Sequence, residues 1–330
     1  MKATMKDVAA LAGVGVGTVS RVINGIKVKE QTKDKVESAI EILNYEPNEY
    51  ARGLKKNKTN TLALIVPTIW HPFFSEFAYY VEEELSKEGY KLYLCNSNGE
   101  ADKEKEYIQM VKQNKVDGII GVTYSDIDNY VSANLPFVSI DRYFTEDVYY
   151  VTSDNLLGGK IAASELIKRK VQYPAYISSV SKYKNETLKR YEGFSEYCEE
   201  HNLSVVKLMV DEPRVNFVQQ VEQFLIEHPE IDGIFAVNDL TALDIIKVLD
   251  KLERKVGEDI QIIGFDGSKT ALDQNYLLST IRQQVDKMAE VSVQNIIKLI
   301  NGNEVPKRVM LPVKFVEGYT TKKNIDIIEK

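Results

Sequence analysis

A chain of 330 residues with 44% hydrophobic content exceeds one ordinary core and can bury two or three. No run approaches the roughly 18 uninterrupted apolar residues of a membrane span, the first residues read as a polar amphipathic helix and not as an export signal, and the isolated Cys95 and Cys198 set neither a disulfide framework nor a zinc site. The formal net charge of -7 is uneven, because residues 1–58 hold 11 Lys and Arg against 7 Asp and Glu, so a small basic head precedes an acidic body. A cytoplasmic protein with reduced, structural cysteines and no membrane partner is expected.

In chain order, Thr4 and Asp7 have the spacing of a capping box and start a helix in which Val8, Leu11 and Ala12 share a face. Gly13 stands where a left-handed C-cap belongs, and a second helix follows a tight turn. Its Val19, Val22 and Ile23 face the first helix, which leaves Val16, Gly17, Ser20 and Arg21 outward. Val36, Ile40 and Leu43 give a third helix the spacing to close a three-helix core near Tyr45. Residues 49–56 are too short to hold as an isolated helix after Pro47-Asn48, so their order must come from a partner. A polar linker follows to about residue 60.

From residue 61 the pattern becomes β-α-β. Strands are expected over 62–66, 91–95, 118–122, 137–140 and 149–151, with helices over 72–88, 102–114 and 157–168. The grammar restarts with strands over 175–178, 205–209, 233–237 and 261–265 and helices over 187–201, 217–228 and 240–251. Two layered parallel-sheet halves with a cleft between them follow. A last helix over 285–301 and a strand over 314–317 are long enough to cross back to the first half.

Gly13, Gly15 and Gly17 imitate a dinucleotide fingerprint but lack the preceding strand and a third glycine at the right spacing. No Walker sequence, nucleophile elbow or His-Glu-x-x-His occurs, and His71, His201 and His228 form no catalytic grouping. Neither an enzyme nor a cofactor or metal is expected. Ligands of α/β sheets bind beyond the carboxyl ends of strands, and those loops are polar and aromatic here. Trp70, His71, Phe73 and Phe74 follow the first strand; Asn96, Ser97 and Asn98 the second; Thr123 and Tyr124 the third; Asp141 and Arg142 the next. In the second half Asn238 and Asp239, and Asp266 and Ser268, end strands, and Arg190 opens a helix. Such carboxylates, amides and guanidinium groups beside aromatic rings suit a hydroxyl-rich small molecule.

The chain resembles the LacI family of bacterial transcription regulators over essentially its full length. The residues that carry this are Lys6-Asp7-Val8-Ala9, Ala12-Gly13-Val14, Thr18-Val19-Ser20-Arg21-Val22-Ile23-Asn24, Asn44-Tyr45, Pro47-Asn48, Ala51-Arg52-Gly53-Leu54, Val116-Asp117-Gly118-Ile119-Ile120, Ser153-Asp154-Asn155, Arg190, Gly193-Phe194, Asn238-Asp239 and Ile263-Gly264-Phe265-Asp266. Within the family it is most similar to regulators of ribose or sucrose catabolism from Gram-positive bacteria, through Cys95-Asn96-Ser97-Asn98, Asp102-Lys103-Glu104, Asp141-Arg142, Asp154-Asn155 and Gly158-Gly159-Lys160.

The resemblance implies an all-α helix-turn-helix head with a hinge helix, followed by an α/β periplasmic-binding-protein-like body of two doubly wound subdomains. The implied boundaries are 1–46 for the head, 47–60 for hinge and linker, and 61–330 for the effector-binding and dimerisation domain. Its N-subdomain would comprise about 61–155 plus 285–312 and its C-subdomain about 156–284 plus 313–330. The second helix would lie in the major groove, with Val16, Gly17 and Arg21 reading bases and Thr4, Thr18, Ser20 and Asn24 at the backbone or in caps. Ala51, Arg52 and Leu54 would form the minor-groove hinge, with Leu54 as the wedge. Phe73, Phe74, Asn96, Thr123, Asp141, Arg190, Asn238 and Asp266 would bind the effector.

The implied partners are operator DNA, a sugar or sugar-phosphate effector and a second copy of the chain. No heptad tail follows Tyr319, so a tetramer is not expected. Gly15 stands where the family usually caps the recognition helix with serine, and Lys29 where a serine-like residue starts the third helix. Both caps are therefore weak, and a head of marginal stability off DNA is expected. Phe217 is the nearest candidate for a second ring against the sugar. The function implied is repression of a carbohydrate operon with release by the effector. The rivals are a purine- or carrier-protein-responsive member, a solute-binding transport component and a sugar-acting enzyme.

Overall fold

The computed structural model describes residues 3–46, 58–113, 115–132, 135–144, 148–183, 185–271 and 273–323. The chain divides into two compact units, residues 1–59 and 60–330. Among the described residues no helix is long and apolar enough to cross a membrane. The predicted hinge residues Ala51, Arg52 and Leu54 lie outside the described residues.

The first unit holds α1 (Met5–Ala12), α2 (Val16–Ile23) and α3 (Glu30–Ile42). The capping box at the start of α1 is formed: the Thr4 N–H donates to Asp7 Oδ2 at 2.8 Å and the Asp7 N–H to Thr4 Oγ1 at 3.4 Å. These bonds with Thr4 hold the Asp7 carboxyl below its ordinary range. Gly13 ends α1 in the left-handed region, with φ of 63°. Val8, Ala9, Ala12, Val19, Val36, Ala39 and Tyr45 make the core. Leu11 is the correction: it is 50% exposed, because the buried stripe of α1 is centred between Val8 and Ala9 and Leu11 falls outside it. Gly15 and Lys29 precede α2 and α3 without a side-chain cap bond, so the expected weakness at both helix starts is present.

The second unit contains two six-stranded sheets. The first joins β1 (Thr61–Val66), β2 (Lys91–Asn96), β3 (Gly118–Gly121), β4 (Phe137–Ile140), β5 (Tyr149–Ser153) and β11 (Arg308–Leu311). Their spatial order is β11-β5-β4-β3-β1-β2, and all pairs are parallel. Period-two alternation sorts β1 between two cores. Leu62, Leu64 and Val66 meet α4 (Pro72–Lys87) and α10 (Val285–Ile300), whereas Ala63 and Ile65 meet Ile108 of α5 (Ala101–Lys112).

The second sheet has the order β12-β10-β9-β8-β6-β7. It contains β6 (Pro174–Val180), β7 (Val206–Asp211), β8 (Gly233–Ala236), β9 (Gln261–Asp266), β10 (Thr280–Arg282) and β12 (Lys314–Val316). Ala175 and Ile177 face α8 (Phe217–Glu227) and α9 (Asp239–Lys251), whereas Tyr176 faces α6 (Asn155–Lys168) and α7 (Leu188–Glu200). Helices α6 and α7 cross at backbone contact: a Cβ on Gly159 would strike the Arg190 carbonyl, and one on Gly193 the Leu156 carbonyl.

Helix α10 returns to the first sheet, as its length allowed. The strand over 314–316 does not; it pairs antiparallel with β10 in the second sheet. The strand that does return is β11, parallel to β5. Strands β10 and β11 were absent from the sequence reading because Thr-Ile-Arg and Arg-Val-Met-Leu are too short and too interrupted by charge to show a period.

Candidate functional site

The carboxyl ends of both sheets open on one cleft of about 630 Å³. From the first half it is lined by His71, Phe73, Phe74, Asn98, Tyr124 and Asp141, and from the second by Arg190, Glu212, Arg214, Asn238, Asp266 and Gln283, among others. Six of the eight predicted effector residues are thus brought together. Asn96 and Thr123 are not among the lining residues. Asn96 Oδ1 accepts the Ile69 N–H at 3.0 Å, and Thr123 is wholly buried. Phe217 is buried in the core of the second half and stays out of the cleft. Arg214, whose guanidinium lies 3.9 Å over that ring, lines it instead. Trp70 is 91% exposed and outside the lining.

Each polar group of the cleft is held by its neighbours. Arg190 is pinned where α7 crosses α6: Nε donates to Asn155 Oδ1 at 2.7 Å, Nη1 to the Val237 carbonyl at 2.6 Å, and the guanidinium sits 3.6 Å over Phe265. Nη1 lies 3.9 Å from Asp266 Oδ1. Asp266 ends β9 with φ of 114° and accepts from Gln283 Nε2 at 2.7 Å. Gln283 in turn accepts from Ser153 Oγ, at the end of β5 in the first sheet, at 2.6 Å. Burial pushes the Asp266 carboxyl up, and the neighbouring Asp239 adds to it against the opposing pull of Arg190. Burial pushes the Asp239 carboxyl up to about 7 as well, against the Ser268 N–H at 2.6 Å and the Thr280 hydroxyl at 2.7 Å, whose donation favours the charged form.

Asp141 adopts a left-handed backbone with φ of 54°. It accepts from Thr152 Oγ1 at 2.6 Å, and burial pushes it up as well. Asn238 accepts from the Thr241 N–H at 2.8 Å and so caps α9. Fixed acceptors and donors beside Phe73 and Phe74 can grip adjacent hydroxyls without paying to order the site at the moment of binding. The halves are also tied by a two-point ion pair, Arg282 Nη2 to Glu76 Oε1 at 2.7 Å and Nη1 to Oε2 at 3.3 Å.

His71 caps α4 by accepting the Phe73 N–H on Nδ1 at 3.3 Å. Burial, then Arg190 and Arg214, push its pKa down to about 4. The folded state therefore binds the proton less readily than the unfolded chain. The stabilisation is complete above the ordinary histidine range of about 6.5 and is lost as pH falls toward 4. His71→Asn keeps a capping acceptor and removes the titration. Between pH 7 and pH 5 the melting temperature of the wild type should drop by about 3 °C more than that of His71→Asn, read by scanning fluorimetry.

Sequence reading missed Gln283, Glu212 and Arg214. Gln283 follows β10, so recognition of that strand would have found it by the same carboxyl-end rule. Strand β7 runs two residues past its predicted end, to Asp211, which brings Glu212 and Arg214 to the cleft.

On the first unit, Val16 is 41% exposed, Gly17 and Arg21 are exposed, and Val19 beneath them is wholly buried. Thr4 is committed to the capping box, Thr18 and Ser20 are partly buried, and Asn24 Nδ2 donates to the Ser20 carbonyl at 2.6 Å. A short helix thus presents one long polar side chain, Arg21, beside the apolar Val16 and the bare Gly17. Among the described residues no group of three or more His, Cys, Asp or Glu is placed to hold a metal ion.

Residues 4–48 match the family described as bacterial regulatory proteins, lacI family, and residues 62–304 match the periplasmic binding protein domain. A sucrose operon repressor of Streptococcus mutans serotype c is 35% identical over 324 residues, covering 96% of this chain and 99% of the relative. A ribose operon repressor of Halalkalibacterium halodurans is 36% identical over 323 residues, covering 97% of each. Among solved structures, a periplasmic binding protein/LacI transcriptional regulator from Alkaliphilus metalliredigens complexed with D-xylulofuranose superposes with a TM-score of 0.70 at 28% identity, covering 80% of this chain and 100% of that one. The Lac repressor dimer bound to operator and an anti-inducer shares the fold, with a TM-score of 0.85 at 22% identity over 98% of this chain and 100% of that one.

Proposed function

The chain belongs to the LacI family of bacterial regulatory proteins, and from that premise we propose that it is a cytoplasmic repressor of a carbohydrate catabolic operon. It binds a near-palindromic operator as a dimer and is released by a sugar or sugar-phosphate effector. It is a non-enzymatic regulator, as its relatives are. The observation that carries the reading is the pairing, in one chain, of an exposed helix face bearing Val16, Gly17 and Arg21 with a cleft built from Asp141, Arg190, Asn238 and Asp266. A solute-binding transport component would account for the cleft and leave residues 4–48 without a use.

Arg21 supplies the bidentate contact to guanine, and Val16 an apolar contact to a thymine methyl. Residues 47–60 act as hinge and linker, with Ala51, Arg52 and Leu54 at the minor groove. Residues 61–155 with 285–312 form the N-subdomain, and 156–284 with 313–330 the C-subdomain. Dimerisation uses the edge strands and adjoining helices, where Leu94 is 47% exposed, Tyr79 46%, Val218 42% and Ile226 53%. Effector binding changes the angle between the halves and shifts these contacts, which orders or releases the hinge.

The test is fluorescence anisotropy of the full-length protein on a near-palindromic duplex from upstream of its own operon and on a scrambled duplex. The palindrome should bind on the order of 1,000-fold tighter, with affinity falling steeply with salt. Equal affinity for both duplexes would refute a repressor.

A further inference from the structure

We propose that the effector is a sugar bearing an oxyanion, a phosphate monoester or a carboxylate, and that Arg214 is the residue that receives it. The inference rests on the reading of the cleft as a polyol site and assigns its second end. The order of the second sheet, β12-β10-β9-β8-β6-β7, sets Asp266 and Asn238 after central strands and Arg214 after the edge strand. The cleft thus has a central end and an edge end with different chemistry.

At the centre, Asp141 and Asp266 face Arg190, and burial raises both carboxyls, so this end suits neutral hydroxyls. At the edge stand Arg214, Lys182 and Glu212. The Glu212 carboxylate accepts from Ser179 Oγ at 3.2 Å. Lys182 is exposed and makes no ion pair among the described residues. Arg214 Nη2 lies 3.0 Å from Asp244 Oδ2, but Asp244 is shared with Lys247 Nζ at 3.1 Å, so one carboxylate serves two cations.

Arg214 Nη1 has no hydrogen-bond partner among the described residues and is not buried, whereas the Nε–H behind it is buried with no acceptor. The open Nη1 donors of Arg214 can meet an incoming acceptor without breaking a bond inside the protein. Its guanidinium is oriented by Phe217 at 3.9 Å, and its field reaches His71 from the first half. A planar, pre-positioned fork with unspent donors beside a free ammonium matches a phosphate or carboxylate. A neutral sugar would leave the surplus charge as it is.

Isothermal titration of the full-length protein decides the matter, with D-ribose against D-ribose 5-phosphate, D-fructose against D-fructose 6-phosphate, and D-glucose against D-gluconate. The anionic member of at least one pair should bind on the order of tenfold tighter or more than its neutral parent. The phosphate and carboxylate pairs separate the two sources. Arg214→Gln should erase that preference while changing the neutral sugar's affinity less than about twofold, and the exposed Lys182→Gln should reduce it by a smaller factor without risk to folding. Neutral parents binding as well as their anions, or a preference intact in Arg214→Gln, would overturn the proposal alone. A panel in which no sugar binds at all would overturn the polyol reading beneath it and the proposal with it.

Discussion

Asp266→Asn should shift the response to effector to about 10- to 100-fold higher concentration while leaving operator affinity within about twofold of wild type. Asp266 is 5% exposed, and its Oδ1 accepts from Gln283 and lies 3.9 Å from Arg190. An amide keeps the volume but turns one acceptor into a donor, which then faces the guanidinium. Loss of a charge-assisted bond to a ligand hydroxyl, together with misplacement of Gln283, should weaken effector binding by about 10- to 100-fold. Asn has nearly the volume of Asp, so the substitution leaves no cavity, and the melting temperature of the variant checks that it folds. The measurement is release of a fluorescent operator as effector is titrated. A variant that still releases at wild-type effector concentrations would remove Asp266 from the site.

Arg21→Ala should eliminate operator preference and leave weak, salt-sensitive binding to any duplex. Arg21 is exposed in the last turn of α2, over a core to which it contributes nothing. Its removal should therefore leave the melting temperature of the head unchanged. A bidentate Arg–guanine contact is worth about 1–3 kcal/mol of discrimination per half-site, and a dimer loses two. The neighbours cannot compensate: Val16 has only methyl groups, and Gly17 has no side chain. Competition anisotropy between operator and scrambled duplex should show the two affinities converge. Persistent discrimination would move base reading to other residues.

Most of the architecture was legible because periodicity and punctuation agreed. Thr4 with Asp7 and then Gly13 delimited α1, and the unbroken apolar run from Leu62 to Val66 was already a sign that helices cover both faces of the sheet. The carboxyl-end rule then located Asp141, Asn238 and Asp266 without coordinates. What escaped was set by tertiary packing. Leu11 has the spacing of a core residue, but α1 is rotated to bury Ala9, and no local signal fixes that rotation. Strands β10 and β11 owe their existence to the neighbours they pair with. Asn96 ends a strand as the rule requires, yet its side chain turns to the Ile69 amide. Arg214 was hidden behind Phe217: an aromatic ring was sought, and the ring is present, buried beneath the cation that faces the cleft.

A coupling between effector and operator binding must act equally in both directions. The most direct measurement is therefore the affinity of the full-length protein for its best-binding sugar or sugar phosphate, determined by titration with and without saturating operator. Operator should weaken effector binding by on the order of 10- to 100-fold, and effector should weaken operator binding by the same factor. Identical effector affinity for free and operator-bound protein, or a tighter one when bound, would contradict a repressor released by its effector.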